Sequence, residues 1–267
     1  MTTTLNTQTT EVHPVGLAGE GRPAESESLQ VAKDISALFL AKNAIRATSQ
    51  IRDLVRPSDI SRVLEPEKFD FFVNGIAATG ALYSGHFELL SGLHSEYFLM
   101  FSRLAAEQIY RDAICAVLAD RFMTLRADAV MGPVSAGGLL VGKLAEDLKV
   151  SAGYFDLDSK ARPAAIRLGS EIVHGARVVL VNDMATTAAG IESMVDLVSY
   201  CGAQVVGIGL FATRGNHAAA AVRRLSSAIR AQAEVLVHLN IETRPQGMCS
   251  ACANSQAIPY RSCMLNS

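Results

Sequence analysis

"VVLVNDMATTAAG", residues 178–190, is the stretch on which the fold turns. Its unbroken apolar run, Val178 to Val181, suits a strand covered on both faces, the kind found in parallel sheets. Asn182 and Asp183 follow, and Thr186 and Thr187 precede the small residues Ala188, Ala189 and Gly190. The stretch therefore predicts a strand, a loop and a helix in succession. The loop has two readings. Exposed N–H groups, threonine hydroxyls and the positive end of a helix suit a phosphate, and a carboxylate beside them suits sugar hydroxyls. Alternatively, Asp183 and the threonines simply cap the helix, and spacing alone favours that reading.

Working outward, "ADAVMGP", "VSAGYFDL", "AQVVGIGLFAT" and "AEVLVHL" also read as strands, with helical patterns such as "EQIYRDAICAVLADRFM" and "NHAAAAVRRLSSAIR" between them. Apolar strands alternating with crossover-length helices imply an α/β protein with a central, mostly parallel sheet flanked by helices. Upstream, "HFELLSGLHSEYFLMF" predicts two short strands about a turn, after a helix in "KFDFFVNGIAATGAL". From Leu29 to Val55 apolar residues recur at helical spacings and predict one or two amphipathic helices, stopped at Pro57. The chain thus divides into a tail over 1–28, a helical extension over 29–62 and a main domain over 63–267.

With 267 residues, 49% of them hydrophobic, the chain can bury a sizeable core. Its formal charge of −2, with cations spread along the sequence, offers no basic block for nucleic acid. Residues 1–28 are rich in Thr, Ser, Gly and Pro and lack the cationic start and apolar core of a signal peptide, so a disordered, cytoplasmic tail is expected. No apolar run reaches the roughly 18 residues of a membrane span. Of the five cysteines, Cys115 and Cys201 lie in apolar helical patterns that predict inert thiols. Cys249, Cys252 and Cys263 cluster in "CSACANSQAIPYRSC"; the first pair has zinc-ligand spacing, but no fourth ligand is evident, and a reduced structural tail is the expected outcome.

In open α/β sheets ligands bind beyond the carboxyl ends of strands, which singles out a second loop, "GPVSAGGLLVG", residues 132–142. Gly137 and Gly138 there permit backbone amides to approach an anion. No "GK[ST]" follows, and no G-x-G-x-x-G points to a dinucleotide.

In order and spacing, "GHFELLSGLHSEYF", "MGPVSAGGLLVGKLAEDL", "VVLVNDMATTAAG" and "FATRG" resemble the orotate phosphoribosyltransferases, which have the type I phosphoribosyltransferase fold with a small hood. The resemblance runs from about Phe69 through the "C-x-x-C" tail. It implies transfer of a phosphoribosyl group from phosphoribosyl pyrophosphate to orotate in pyrimidine synthesis, giving orotidine 5′-phosphate and pyrophosphate, with Mg²⁺ carried by the substrate and a homodimer as the assembly. By the same resemblance Asn182, Asp183, Ala185, Thr186, Thr187, Ala188 and Ala189 embrace ribose 5-phosphate. Ser135, Ala136, Gly137 and Gly138 hold pyrophosphate, Phe87, Ser91 and Gly92 close over the pyrimidine, and Arg214 meets the orotate carboxylate.

Departures from the family pattern concentrate at these positions. Asn182 stands where a second acid is usual; a unit charge about 5 Å away at an effective dielectric of about 20 is worth roughly 3 kcal/mol, on the order of a hundredfold in rate. Between "GYFDLD" and the next strand only Lys160, Arg162 and Arg167 remain of a basic catalytic loop, with Lys160 as the candidate catalytic cation. Leu90 and Thr213 replace a polar residue before "SG" and an acid before Arg214. Two alternatives follow: a catalytically impaired binding or regulatory protein, and transfer to another nucleobase.

Overall fold

The structure, a computed structural model, describes residues 40–259. The expected tail over 1–28, the start of the extension and Cys263 lie outside the described residues. Among the described residues no helix is long and apolar enough to cross a membrane.

The central sheet is built from β1 (Val55–Pro57), β4 (Ala129–Pro133), β5 (Ser151–Leu157), β6 (Pro163–Ile166), β7 (Arg177–Ala185), β8 (Gln204–Arg214) and β9 (Gln232–Leu239), in the order β1-β9-β8-β7-β4-β5-β6. β9, β8, β7, β4 and β5 run parallel, while β1 and β6 close the two edges antiparallel. The apolar run of β7 divides between the faces as a strand's two-residue period requires. Val179 and Val181 enter one core with α2 (Pro66–Thr79), α4 (Gln108–Phe122) and α5 (Val141–Leu148). Val178 and Leu180 enter the other, against α6 (Ala189–Tyr200) and α7 (Gly215–Ile229). All four are fully buried, each stabilising the fold by roughly 1.5–3 kcal/mol.

The extension over 29–62 expected to be helical reaches into this architecture. α1 (Thr48–Leu54) stops before Pro57, and the chain becomes β1, with Val55 opposite Leu239 and Pro57 opposite Val237. Ile51 and Val55 are buried in the main core, and Leu40 in the hood. The hood is the expected hairpin, β2 (Leu82–Glu88) and β3 (His94–Leu99), joined in parallel by β10 (Ile258–Pro259) from the tail. A short helix, α3 (Phe101–Ala106), leads from the hood into α4.

Candidate functional site

The sheet reverses its winding between β4 and β7: from β4 the chain proceeds outward to β5, and from β7 outward to β8 and β9. Such a switch point leaves a crevice beyond the carboxyl ends of the two strands. β4 pairs with β7 only as far as Met131 opposite Leu180, whereas β7 continues beside β8 to Ala185 opposite Thr213. Residues 182–185 therefore line the crevice wall within a strand, with Asp183 inside β7 instead of just after it.

The second loop presses against this wall. A Cβ on Gly137 would lie 2.1 Å from Asn182 Oδ1 and 2.7 Å from the Asp183 backbone nitrogen, so only glycine fits there. Gly138 is held just as closely, since a Cβ on it would lie 2.5 Å from the Pro133 carbonyl oxygen. Ser135 is exposed and Ala136 half-buried at the start of a 3₁₀ turn, Ala136–Leu140. Asn182 turns inward, its Oδ1 accepting from the Asp183 N–H at 2.9 Å. Its carbonyl thus already accepts one backbone donor.

Beyond β7, Ala185 and Ala188 are buried while Thr187 and Ala189 are exposed and Thr186 is half-buried. The helix-capping reading of the threonines and Asp183 fails: Ala188 is the N-cap of α6, and no side chain caps that helix. Its first-turn N–H groups are thus without a side-chain cap, at the end of a helix where an anion is favoured. The backbone N–H groups of Met184 and Asp183 and the positive charge of Arg214 favour the ionised Asp183 carboxyl. Desolvation outweighs all three and raises its carboxyl to about 6.

Arg214 ends β8 with 1% of its surface exposed. Nη1 donates to the Tyr97 carbonyl at 3.2 Å and to Ser95 Oγ at 3.5 Å, joining the sheet to the hood strand β3. Nε and Nη2, the donors on one edge of the guanidinium, are buried without a hydrogen-bond partner among the described residues. Burial lowers its pKa to about 10, with Asp183 opposing the shift, and it remains a cation at neutral pH. The two residues act on each other's charge without a direct ion pair among the described residues. Thr213, where the family pattern has an acid, is buried with its hydroxyl 3.1 Å from His238 Nδ1.

The remaining expected positions separate. Ser91 and Gly92 sit exposed at the hairpin turn, where Gly92 has φ +75°. Phe87 is sealed in the hood core, its ring 5.5 Å from that of Phe98, so its side chain is committed to packing. Lys160 lies on the exposed turn over 158–162 between β5 and β6; its backbone N–H donates to Asp158 at 2.8 Å, and its ammonium joins no ion pair among the described residues. Arg162 and Arg167 are tied instead to Asp158 at 2.9 Å and to Asp156 at 3.3 Å. Sequence reasoning missed His86 and His94, buried in the hood beside the tail cysteines.

The phosphoribosyl transferase domain family matches residues 102–235, which include β4 through the first half of β9 and both loops of the crevice. The orotate phosphoribosyltransferase of Desulforamulus reducens is 28% identical over 181 residues, covering 68% of this chain and 88% of that one. The orotate phosphoribosyltransferase of Thermus thermophilus is 30% identical over 174 residues, 65% of this chain and 90% of that one. Among solved structures, the adenine phosphoribosyl transferase of Trypanosoma brucei in complex with AMP, pyrophosphate and ribose-5-phosphate shares the fold, with a TM-score of 0.50 at 17% identity over 66% of this chain and 81% of that one. With the switch-point crevice, the uncapped α6 and the glycine loop in the matched region, this chain belongs to the phosphoribosyltransferase family.

Proposed function

We propose that the protein is an orotate phosphoribosyltransferase, making orotidine 5′-phosphate from orotate and phosphoribosyl pyrophosphate. The observation that carries this reading is Arg214, a buried cation whose Nε and Nη2 lack a partner beside the crevice. Those two donors form a fork matched to a planar carboxylate, and orotate differs from uracil by such a group. A buried guanidinium left half unsatisfied is costly unless a ligand completes it.

In this reading the amino end of α6, with Thr186 and Thr187, receives the 5-phosphate, and Asp183 accepts hydrogen bonds from ribose hydroxyls. The backbone over 135–138 receives pyrophosphate. Transfer breaks the bond from ribose C1 to pyrophosphate oxygen and forms one to a ring nitrogen of orotate, whose proton is released to water, and an ionised Asp183 opposes the positive charge that grows on the sugar. Asp183 is the one carboxylate among the expected site residues, too few for a protein-built Mg²⁺ cage but suited to an ion brought by the substrate's oxygens. When bound, Mg²⁺ neutralises the leaving pyrophosphate. The chain's own residues act by placement and electrostatics. A homodimer, in which one subunit's hairpin over 158–162 covers the other's crevice, completes the reading.

Incubation with phosphoribosyl pyrophosphate, Mg²⁺ and orotate should consume orotate, followed by its ultraviolet absorbance. No turnover at high protein concentration sinks the proposal. A specific observation favours a second reading, binding without turnover: Asn182 faces its own backbone, and two of the hairpin's three cations are already paired. Calorimetric binding of ribose 5-phosphate, lost in Asp183→Ala and unaccompanied by chemistry, would identify that outcome. A panel of other nucleobases in the same assay distinguishes a changed acceptor.

A further inference from the structure

The hood holds a second constellation that the transferase reading does not use. His86 from β2, His94 from β3 and Cys249 and Cys252 from the tail place one ligand atom each within 4.8 Å of all the others. Both histidines are buried, at 7% and 6% exposure, and both cysteines are half-buried. His86 Nε2 lies 3.4 Å from Cys249 Sγ and 3.6 Å from Cys252 Sγ; His94 Nδ1 lies 3.2 Å from Cys252 Sγ and 2.9 Å from His86 Nε2. A tetrahedral zinc with ordinary bond lengths spaces nitrogen from sulfur by about 3.6 Å and nitrogen from nitrogen by about 3.3 Å. The observed spacings are those values to within a few tenths of an ångström.

The orientation of His86 is independent support. Its Nδ1 lies 3.1 Å from the Ser255 carbonyl and 3.0 Å from the Ser255 hydroxyl. A carbonyl only accepts, so Nδ1 carries the proton and Nε2 offers its lone pair to the cluster. Metal-ligating histidines are fixed by this kind of outer hydrogen bond. Two thiolates and two neutral imidazoles would balance a divalent cation, leaving no net charge to bury.

We propose that His86, His94, Cys249 and Cys252 form a structural zinc site that fastens the tail to the hood. Four protein ligands leave no open position, which marks the site as structural and not catalytic, and sulfur with imidazole in a tetrahedron favours zinc over Mg²⁺ or Ca²⁺. The fastening answers a structural need. Among the described residues the tail meets the hood backbone through the His94–Arg244 bridge and through β10, where Ile258 pairs with Phe87 and Pro259 with Glu88, and a metal would clamp the stretch between these two short pairings. The site also neighbours the crevice in sequence, since His94 precedes Ser95, whose hydroxyl lies 3.5 Å from Arg214 Nη1.

The experiment is elemental analysis of the untagged full chain after dialysis with excess zinc and then without it, paired with Co²⁺ substitution. The expected result is about one zinc per chain and, with Co²⁺, the thiolate charge-transfer and visible bands of a tetrahedral site. Cys249→Ser and Cys252→Ser should each lower retained zinc about tenfold or more, and Cys263→Ser should leave it unchanged. Chelation should also expose the chain near residues 245–259 to limited proteolysis. The proposal is overturned if the wild-type protein retains no stoichiometric metal and gives no thiolate-to-cobalt band, or if Cys249 and Cys252 are joined by a disulfide in freshly isolated protein. The wild-type cobalt spectrum decides the matter even where a serine variant fails to fold.

Discussion

Arg121 and Arg214 are both nearly sealed from water, and they stand at opposite ends of the same sheet. At the amino-terminal end of β9, Arg121 Nη1 lies 2.8 Å from Glu234 and donates to Ser61 at 3.1 Å, while Gln232 donates to the second Glu234 oxygen at 2.8 Å. At the carboxyl end of β8, Arg214 has a carbonyl and a hydroxyl for Nη1 and, among the described residues, nothing for the other edge of its guanidinium. Asp183 is near enough to act on its charge but does not pair with it. Arg121 is paired with a carboxylate and leaves only Nε buried without a partner among the described residues, whereas Arg214 has no carboxylate within hydrogen-bond reach and leaves both donors of one edge open. What separates the two is a partner of opposite charge within hydrogen-bond reach, which Arg121 has and Arg214 lacks among the described residues.

The comparison can be broken most forcefully at its structural end. Glu234→Ala strands Arg121 in the interior and should destabilise the protein by about 3–5 kcal/mol, measured by denaturant unfolding, while leaving kcat/KM of the folded fraction unchanged. At the functional end the effect moves to activity: Arg214→Ala should lower kcat/KM for orotate by about 30-fold to several thousandfold, the equivalent of about 2–5 kcal/mol, with little loss of stability. If both variants lost only stability, the contrast between the two arginines would be wrong.

Asp183 supplies a smaller effect with a definite pH window. Its carboxyl is raised from 3.8 to about 6 on folding, so the cost of burying it appears as pH rises above 3.8 and is complete above 6. Asp183→Asn should then stabilise the empty protein by about 2–3 kcal/mol at pH 8 and by nothing near pH 3, while reducing phosphoribosyl binding. Equal stability of the two proteins at pH 8 would show that the carboxyl is not held out of water. In the unsubstituted protein, affinity for a ribose 5-phosphate ligand should fall as pH drops through 6, because protonated Asp183 loses acceptor capacity. The smallest change belongs to the exposed hairpin. Lys160→Ala should lower turnover by under about fivefold, as a solvent-screened charge would.

The central sheet was legible in the sequence because β7 and its neighbours are buried on both faces and say so in unbroken apolar runs. The crevice was legible as two loops, but not their contact: nothing in "SAGG" announces that Gly137 abuts Asn182. α6 misled because threonines before a helix read as caps, whereas the cap is Ala188 and the threonines stay uncommitted. Phe87 looked like a ligand contact from its place in a motif. In a strand, adjacent side chains take opposite faces, and Phe87 turns into the hood core while His86 turns toward the tail. The zinc ligands could not be assembled from spacing, since His86 and Cys249 are 163 residues apart and only the fold brings them together. β1 was hidden by a helical pattern that ends abruptly at Leu54, its strand identity coming from the partner β9.

That short strand has a consequence for how the protein behaves among its copies. Parallel sheets end in rows of unpaired N–H and C=O groups that invite another chain, and here each end is finished by a short antiparallel strand, β1 of three residues beside β9 and β6 of four beside β5. A fragment beginning after Pro57 would keep every residue of the crevice yet bare the flank of β9, whose residues 235–237 and Leu239 are wholly apolar. β1 thus replaces the long apolar edge of β9 with a three-residue edge ending in Pro57, which offers another chain fewer groups to pair with.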